Sequence, residues 1–145
     1  MVPNFDNNNY VLTSIIGLRL KEPELGDIIV FKAPPDPQKA YIKRVIGVPE
    51  DKIKIQNGKI FVNGEPLIED SYLPESIETK GGSFINEGEI KTVPDGEYFV
   101  LGDNRNFSSD SREWGYVKRD QITGFSLFVY WPVDKMRLVE NPYKD

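Results

Sequence analysis

Two reactive residue types are missing from this 145-residue sequence, which has no cysteine and no histidine. Without cysteine there is no disulfide framework, no thiolate metal cluster and no thiol nucleophile. Without histidine there is no Ser-His-Asp or Cys-His machine, no imidazole metal ligand and no base whose ordinary pKa lies near neutrality. Acid–base chemistry therefore falls to carboxylates, lysine or tyrosine. Long hydrophobic runs are lacking too: the longest, Gly124 to Val133 (GFSLFVYWPV), is well short of the roughly 20 residues of a membrane-spanning helix. Basic excess is also absent. A formal net charge of −5 argues against recognition of nucleic-acid phosphates, so no nucleic-acid partner is expected.

What is present reads as β structure. Short apolar and alternating runs, Ile28–Phe31, Tyr41–Ile46, Glu97–Leu101 and Ile122–Trp131, are bounded by glycine, proline and asparagine, the pattern of strands and turns. Ile53-Lys54-Ile55 and Ile60-Phe61-Val62 flank Asn57-Gly58, and a second Asn-Gly follows at Asn63-Gly64. Asn-Gly favours the tight hairpin turn, so a small meander is predicted there. The stretch APPDPQKA (33–40) reads as a turn, and Ser71 to Pro94 as loop and edge structure. No stretch carries a 3.6-residue apolar stripe. The expected fold is mainly β: a core from residues 1–48 and 96–135, a smaller inserted β lobe from 49–95, and a C-terminal tail from 136–145.

Lys43 stands in an apolar strand. At period two its face is shared with Tyr41 and Val45, while Ile42, Arg44 and Ile46 point the other way. A strand lysine ordinarily packs its stem and extends its ammonium to water. A desolvated amine would instead have a pKa lowered toward the range of a general base, because burial disfavours the charged form.

The second constellation is VLGDNRNFSSDSREWG, Val100 to Gly115, where serines, acids and arginines crowd together after a strand. Calcium coordination fails on spacing, since the positions alternating with Asp103 are Arg105 and Phe107. A catalytic carboxylate pair, Asp103 with Asp110, is disfavoured because Arg105 and Arg112 would hold both ionised. The residues alone leave open a plain turn region stapled by Asp-Arg pairs.

Together GDIIVFK (26–32), YIKRVIGVPED (41–51), NGKIFVNGEPL (57–67) and GDNRNFSSDSREWG (102–115) resemble the bacterial type I signal peptidase family in content, order and spacing. The MVPNF start resembles its Ser-Met-x-Pro-Thr box. The resemblance implies a signal-peptidase-like antiparallel β fold with a smaller inserted lobe. It further implies a membrane-anchored serine endopeptidase that removes signal peptides from exported preproteins with a Ser/Lys dyad and no cofactor. It makes Lys43 the general base and Ser108 the residue that orients it. Arg44, Asp103, Asp110 and Arg112 become the scaffold of ion pairs, and Met1, Val30, Tyr41 and Ile42 the lining of pockets for small side chains. An exposed strand edge near Val30 and Tyr41 would then hold an extended substrate by backbone pairing. The implied partners are secretory signal peptides and, through an N-terminal anchor, the membrane surface. The implied location is the plasma membrane, with the catalytic domain on the extracytoplasmic side.

The sequence departs from the family pattern at several points. Asn4 stands for the usual Thr, Glu50 for Gly, and Asn106-Phe107 for Asp-Asn. The family's nucleophile stands immediately before the Met of its box. The expectation is therefore a chain cut just after that serine, lacking the anchor and inactive as given. Two other readings remain: a non-catalytic pseudoenzyme that binds extended or signal peptides, and a self-cleaving repressor-like Ser/Lys protease. The aromatics Trp114, Phe125, Phe128, Tyr130 and Trp131 form either core or a membrane-facing patch.

Overall fold

The structure, a computed structural model, describes residues 10–14, 21–131, 137–138 and 140–144. Its strands are β1 (Tyr10–Ser14), β2 (Ile28–Ala33), β3 (Asp36–Gly47), β4 (Lys52–Gln56), β5 (Lys59–Val62), β6 (Glu65–Pro66), β7 (Ile90–Thr92), β8 (Glu97–Leu101), β9 (Val117–Lys118), β10 (Ile122–Trp131) and β11 (Arg137–Leu138). They form two antiparallel sheets. One runs in the order β1-β10-β2-β3-β8-β9 with β11 on β10, and the other in the order β6-β5-β4-β7.

The smaller sheet follows from its turns. Asn57 (φ 52°) and Gly58 (φ 75°), then Asn63 (φ 54°) and Gly64 (φ 89°), all sit in the left-handed region, as the predicted hairpins require. Ile55 accordingly faces Ile60, and Ile53 faces Val62. β7 pairs with the other side of β4, Ile53 opposite Lys91, so the loop and edge reading of 71–94 holds.

Period-two alternation in β3 and β8 makes them a wall between two apolar layers. Val45, Tyr98 and Val100 face Ile29, Phe31, Val117, Ile122 and Phe125. Ile46, Phe99 and Leu101 face the other way, onto Ile53, Ile55, Ile60, Ile85 and Val93 of the second layer. Each fully buried Ile or Phe contributes about 1.5–3 kcal/mol over an exposed one, so the two sheets stabilise each other through this wall.

Three local expectations differ from the structure. The turn read over 33–40 is confined to its start, because β3 begins at Asp36 and carries Pro37 inside it. Proline is tolerated there because β8 pairs only with Arg44, Val45 and Gly47 of β3, which leaves the outer edge of residues 36–43 unpaired among the described residues. Next, the one-turn helix Ser111–Trp114 is too short to register as periodicity. Finally, of the aromatics weighed as a surface patch, Phe125 is buried and Trp114 packs on Phe31, ring centroids 6.0 Å apart. The side chains of Phe128, Tyr130 and Trp131 lie outside the described set.

Candidate active site

β3 delivers two adjacent basic residues to opposite faces of the large sheet. Lys43 stands opposite Ile29, and Tyr41 opposite Phe31. On that shared face the Lys43 ammonium lies 5.3 Å from the centre of the Tyr41 ring. Burial pushes the amine below its ordinary pKa and Arg112 adds to the depression, while Asp110 and Asp103 oppose it. The free energy of desolvation outweighs the nearby carboxylates.

Arg44 turns the other way. Its Nε and Nη2 donate to Asp103 Oδ1 and Oδ2 at 3.0 and 2.9 Å, and its Nη1 donates to the Gly26 carbonyl at 3.1 Å. The Tyr72 ring covers its guanidinium at 4.0 Å. Every side of a buried charge is thus met by a hydrogen bond or a π face.

The loop after β8 is built by Asp110 and Arg112. Asp110 caps the helix Ser111–Trp114 by accepting from the Arg112 backbone, and its Oδ2 accepts from the Gly102 backbone at 3.1 Å. Arg112 closes a two-pronged pair on Asp110, Nε to Oδ1 at 2.8 Å and Nη2 to Oδ2 at 2.9 Å. The same Nη2 donates to the Arg105 carbonyl at 2.8 Å and, at 3.5 Å, to that of Ser108. Gly115, at φ 89°, ends the helix. Arg112 therefore fixes the backbone that carries Ser108.

Ser108 is where loop and strand meet. A Cβ placed on Gly102 would fall onto Ser108 Oγ and 3.3 Å from Lys43 Nζ, so both reactive atoms converge on the bare face of Gly102. Ser108 Oγ is buried and has no hydrogen-bond partner among the described residues. A buried hydroxyl left unpaired is unfavourable, and the same face of Gly102 carries an amine whose charge burial disfavours.

The structure thus gathers Lys43, Tyr41 and Ser108 on one face, with Asp110 and Arg112 holding the loop and Arg44 with Asp103 behind it. Val30 and Ile42 stand opposite each other in the β2–β3 ladder, which by alternation puts them on the other face from Lys43. Met1 lies outside the described residues. Val30 is not at an edge, because β2 is paired on both sides, with β3 and with β10; the open edge belongs to β3.

Arg105 reaches beyond the loop. Asp103 adds to the field that favours its charge, while its salt bridge runs to Glu69, Nη2 to Oε1 at 2.5 Å. It also donates to Thr79 Oγ1 at 2.5 Å and to the Gly102 carbonyl at 3.2 Å. Glu69, Thr79 and Tyr72 escaped sequence reasoning because the arginines they meet, Arg105 and Arg44, are distant in the chain and nothing local marks them. The tight approach at Gly102 was signalled only by its place in the Gly-Asp-Asn turn. Among the described residues there is no cluster of acids that could hold a metal, and no helix long and apolar enough to cross a membrane.

This fold and site define a β protein that brings a desolvated lysine against an unpartnered serine beside an open strand edge. The family profile for "Signal peptidase, peptidase S26" matches residues 1–131, and the chain belongs to that family. It is 37% identical to a probable signal peptidase I-2 of Synechocystis sp., over 97% of this chain and 63% of that protein. It is 35% identical to a signal peptidase I of Leptolyngbya laminosa, over 94% of this chain and 66% of that one. It thus spans somewhat under two thirds of the length of these two relatives. Signal peptidase IB of Staphylococcus aureus is 35% identical over 98% of this chain and 78% of its own. Among solved structures, a signal peptidase I from Enterococcus faecalis superposes with a TM-score of 0.59 at 32% identity. That superposition covers 72% of this chain and 97% of the other. The antiparallel signal-peptidase-like β fold expected from the sequence is the fold observed.

Proposed function

We propose that this chain is the catalytic part of a serine endopeptidase that removes signal peptides from exported preproteins. The observation that carries the reading is the convergence of Ser108 Oγ and Lys43 Nζ on Gly102, that hydroxyl having no hydrogen-bond partner among the described residues. On this reading Lys43 is the general base and Ser108 orients its amine. A hydroxyl suits that task because it can donate or accept and, unlike a carboxylate, does not raise the lysine pKa. Arg44, Asp103, Asp110 and Arg112 hold the frame. The nucleophile is a serine directly ahead of Met1, the position that the family box gives it.

The neutral Lys43 amine takes the proton of that serine, whose oxygen bonds to the scissile carbonyl carbon. As the tetrahedral intermediate collapses, the C–N bond breaks and the ammonium returns the proton to the departing amine. Lys43 then deprotonates the water that releases the acyl group. Substrate binds extended along the open edge of β3 by backbone pairing. A strand laid there alternates its side chains between the two sheet faces, so it meets Tyr41 on one and Val30 with Ile42 on the other. Met1 would complete the small-residue pockets.

In the whole protein, residues 1–48 with 96–135 form the catalytic core, 49–95 the smaller lobe and 136–145 the tail. The protein acts at the extracytoplasmic face of the plasma membrane, held by an N-terminal anchor, and needs no cofactor.

The test is a chain joined at Met1 to a segment ending in serine and assayed on a preprotein with a small residue before its cleavage point. Cleavage at that point is expected, along with none by the chain lacking the serine. Absence of cleavage by the serine-bearing chain would overturn the proposal. In the same background Ser108→Ala is expected to lower kcat at least about tenfold, a modest share of the roughly 10²–10⁴-fold that acid–base catalysis supplies. Its folding stability should stay within about 1 kcal/mol of the parent, since the lost hydroxyl satisfied no hydrogen bond. Denaturant titration and steady-state kinetics read the two effects separately.

A further inference from the structure

Residues 140–144 pack onto the fold. Asn141 Nδ2 donates to the Leu25 carbonyl at 2.9 Å and to Asp27 Oδ1 at 2.7 Å. Its Oδ1 accepts from the Tyr143 backbone at 2.9 Å, and Lys144 pairs with Glu24. The strap sits so close to Gly26 that a Cβ there would collide with both Asn141 Oδ1 and Tyr143 Cδ2. A glycine is required beneath it.

Two lines of contact run from this strap to the loop that carries Ser108. The Gly26 carbonyl under the strap accepts from Arg44 Nη1 at 3.1 Å, and Arg44 grips Asp103 with a two-pronged pair. The second line begins at Tyr143. Its hydroxyl donates to the Ile68 carbonyl at 2.7 Å and lies 3.1 Å from the Tyr72 hydroxyl. The two rings pack edge to face at 6.2 Å. Tyr72 stacks on Arg44 at 4.0 Å and donates to Glu69 Oε1 at 2.6 Å. Glu69 anchors Arg105, and Arg105 Nε holds the Gly102 carbonyl at 3.2 Å. Both lines end on Gly102-Asp103, the surface on which Lys43 and Ser108 converge.

We propose that the Asn141-Pro142-Tyr143 strap is a positioning element for the active site. It fixes Gly102 and Ser108 relative to Lys43 through Tyr72, Arg44 and the Glu69–Arg105 pair. The strap touches neither reacting atom. It closes a ring of packed aromatic and charged groups around the back of the catalytic loop, and coupling through such a contiguous network is carried by the side chains in it. The catalytic consequence rests on the protease reading above; the structural consequence does not.

The experiment compares Tyr143→Ala and Tyr143→Phe with the parent chain by amide hydrogen exchange, with no activity required. Tyr143→Ala is expected to speed exchange about tenfold at the Gly102 and Arg112 amides, which bond to Asp110, while the β4–β5 ladder exchanges as before. Tyr143→Phe keeps the ring against Tyr72 and loses the two hydroxyl contacts, so it falls between. Unchanged loop amides, or a rise shared by every amide, would overturn the proposal, the second because it marks global destabilisation. Should Tyr143→Ala fail to fold, Tyr143→Phe judges the proposal alone by the same local pattern. In the serine-bearing chain, Tyr143→Ala is expected to lower kcat ~2- to 30-fold, the range seen along coupled networks, with KM unchanged. A matching rise in KM without loss of kcat would count against positioning. If even the parent does not cleave, the protease reading fails and the exchange result still decides the strap.

Discussion

Lys43→Met is expected to abolish cleavage and at the same time to make the domain more stable at neutral pH. In a chain bearing serine ahead of Met1, loss of the base removes proton transfer in both half-reactions, a fall of at least about 10³ in kcat by the usual scale of acid–base catalysis. The stability effect has the opposite sign. Burial lowers the Lys43 pKa, so the folded state disfavours a charge that the unfolded chain accepts freely. Below the folded-state value both states are protonated and that penalty stands in full. Between that value and about 10.4, the model value for lysine, the unfolded chain binds more protons, and stability rises with pH. Above it both are neutral and the penalty is gone. The apolar methionine has no such charge, so its advantage is greatest below the folded-state value and shrinks as pH rises through this window. Urea titrations of parent and variant from pH 6 to 11 measure it. A variant less stable than the parent throughout would contradict the desolvated lysine.

Gly102→Ala separates Ser108 from Lys43 without touching either. The new methyl group occupies the place of Ser108 Oγ and lies 3.3 Å from Lys43 Nζ, in a region where the neighbouring Leu101 and Asp103 are buried. Ser108 must move, and its backbone is held by Arg112, so the strain spreads into the Asp110–Arg112 pair. Overpacking of this kind typically costs about 1–3 kcal/mol. The catalytic loss is of comparable size, about 10²-fold in kcat, because displacing a group of the site by about 1 Å is enough for that. Glycine is needed here for close approach, as its backbone dihedrals lie outside the left-handed region. Kinetics with thermal unfolding test the variant, and wild-type kcat would refute the convergence on Gly102.

Much of this was readable in the sequence, for reasons that are local. The Asn57-Gly58 and Asn63-Gly64 hairpins follow from the positive φ that those turns need. The separation of Lys43 from Arg44 follows from the strand period alone. Asp110 and Arg112, two residues apart, pair with each other, as their proximity in the chain suggested. What escaped depends on contacts across the fold. Arg105 meets Glu69 from 36 residues away, and sequence spacing says nothing of that distance. Within the range read as a tail, Asn141 and Tyr143 bond to residues more than 70 positions upstream. The open edge expected near Val30 and Tyr41 lies, among the described residues, at Tyr41 on β3, because β10 covers Val30 of β2.

The proposed chemistry turns on the protonation state of one amine. Titration of the folded chain with isotope-labelled lysine, following the side-chain NMR signals and assigning Lys43 by its loss in Lys43→Met, measures it directly. A Lys43 midpoint clearly below about 10.4, the model value for lysine, is the predicted result. A midpoint at or above that value would contradict Lys43 as the base.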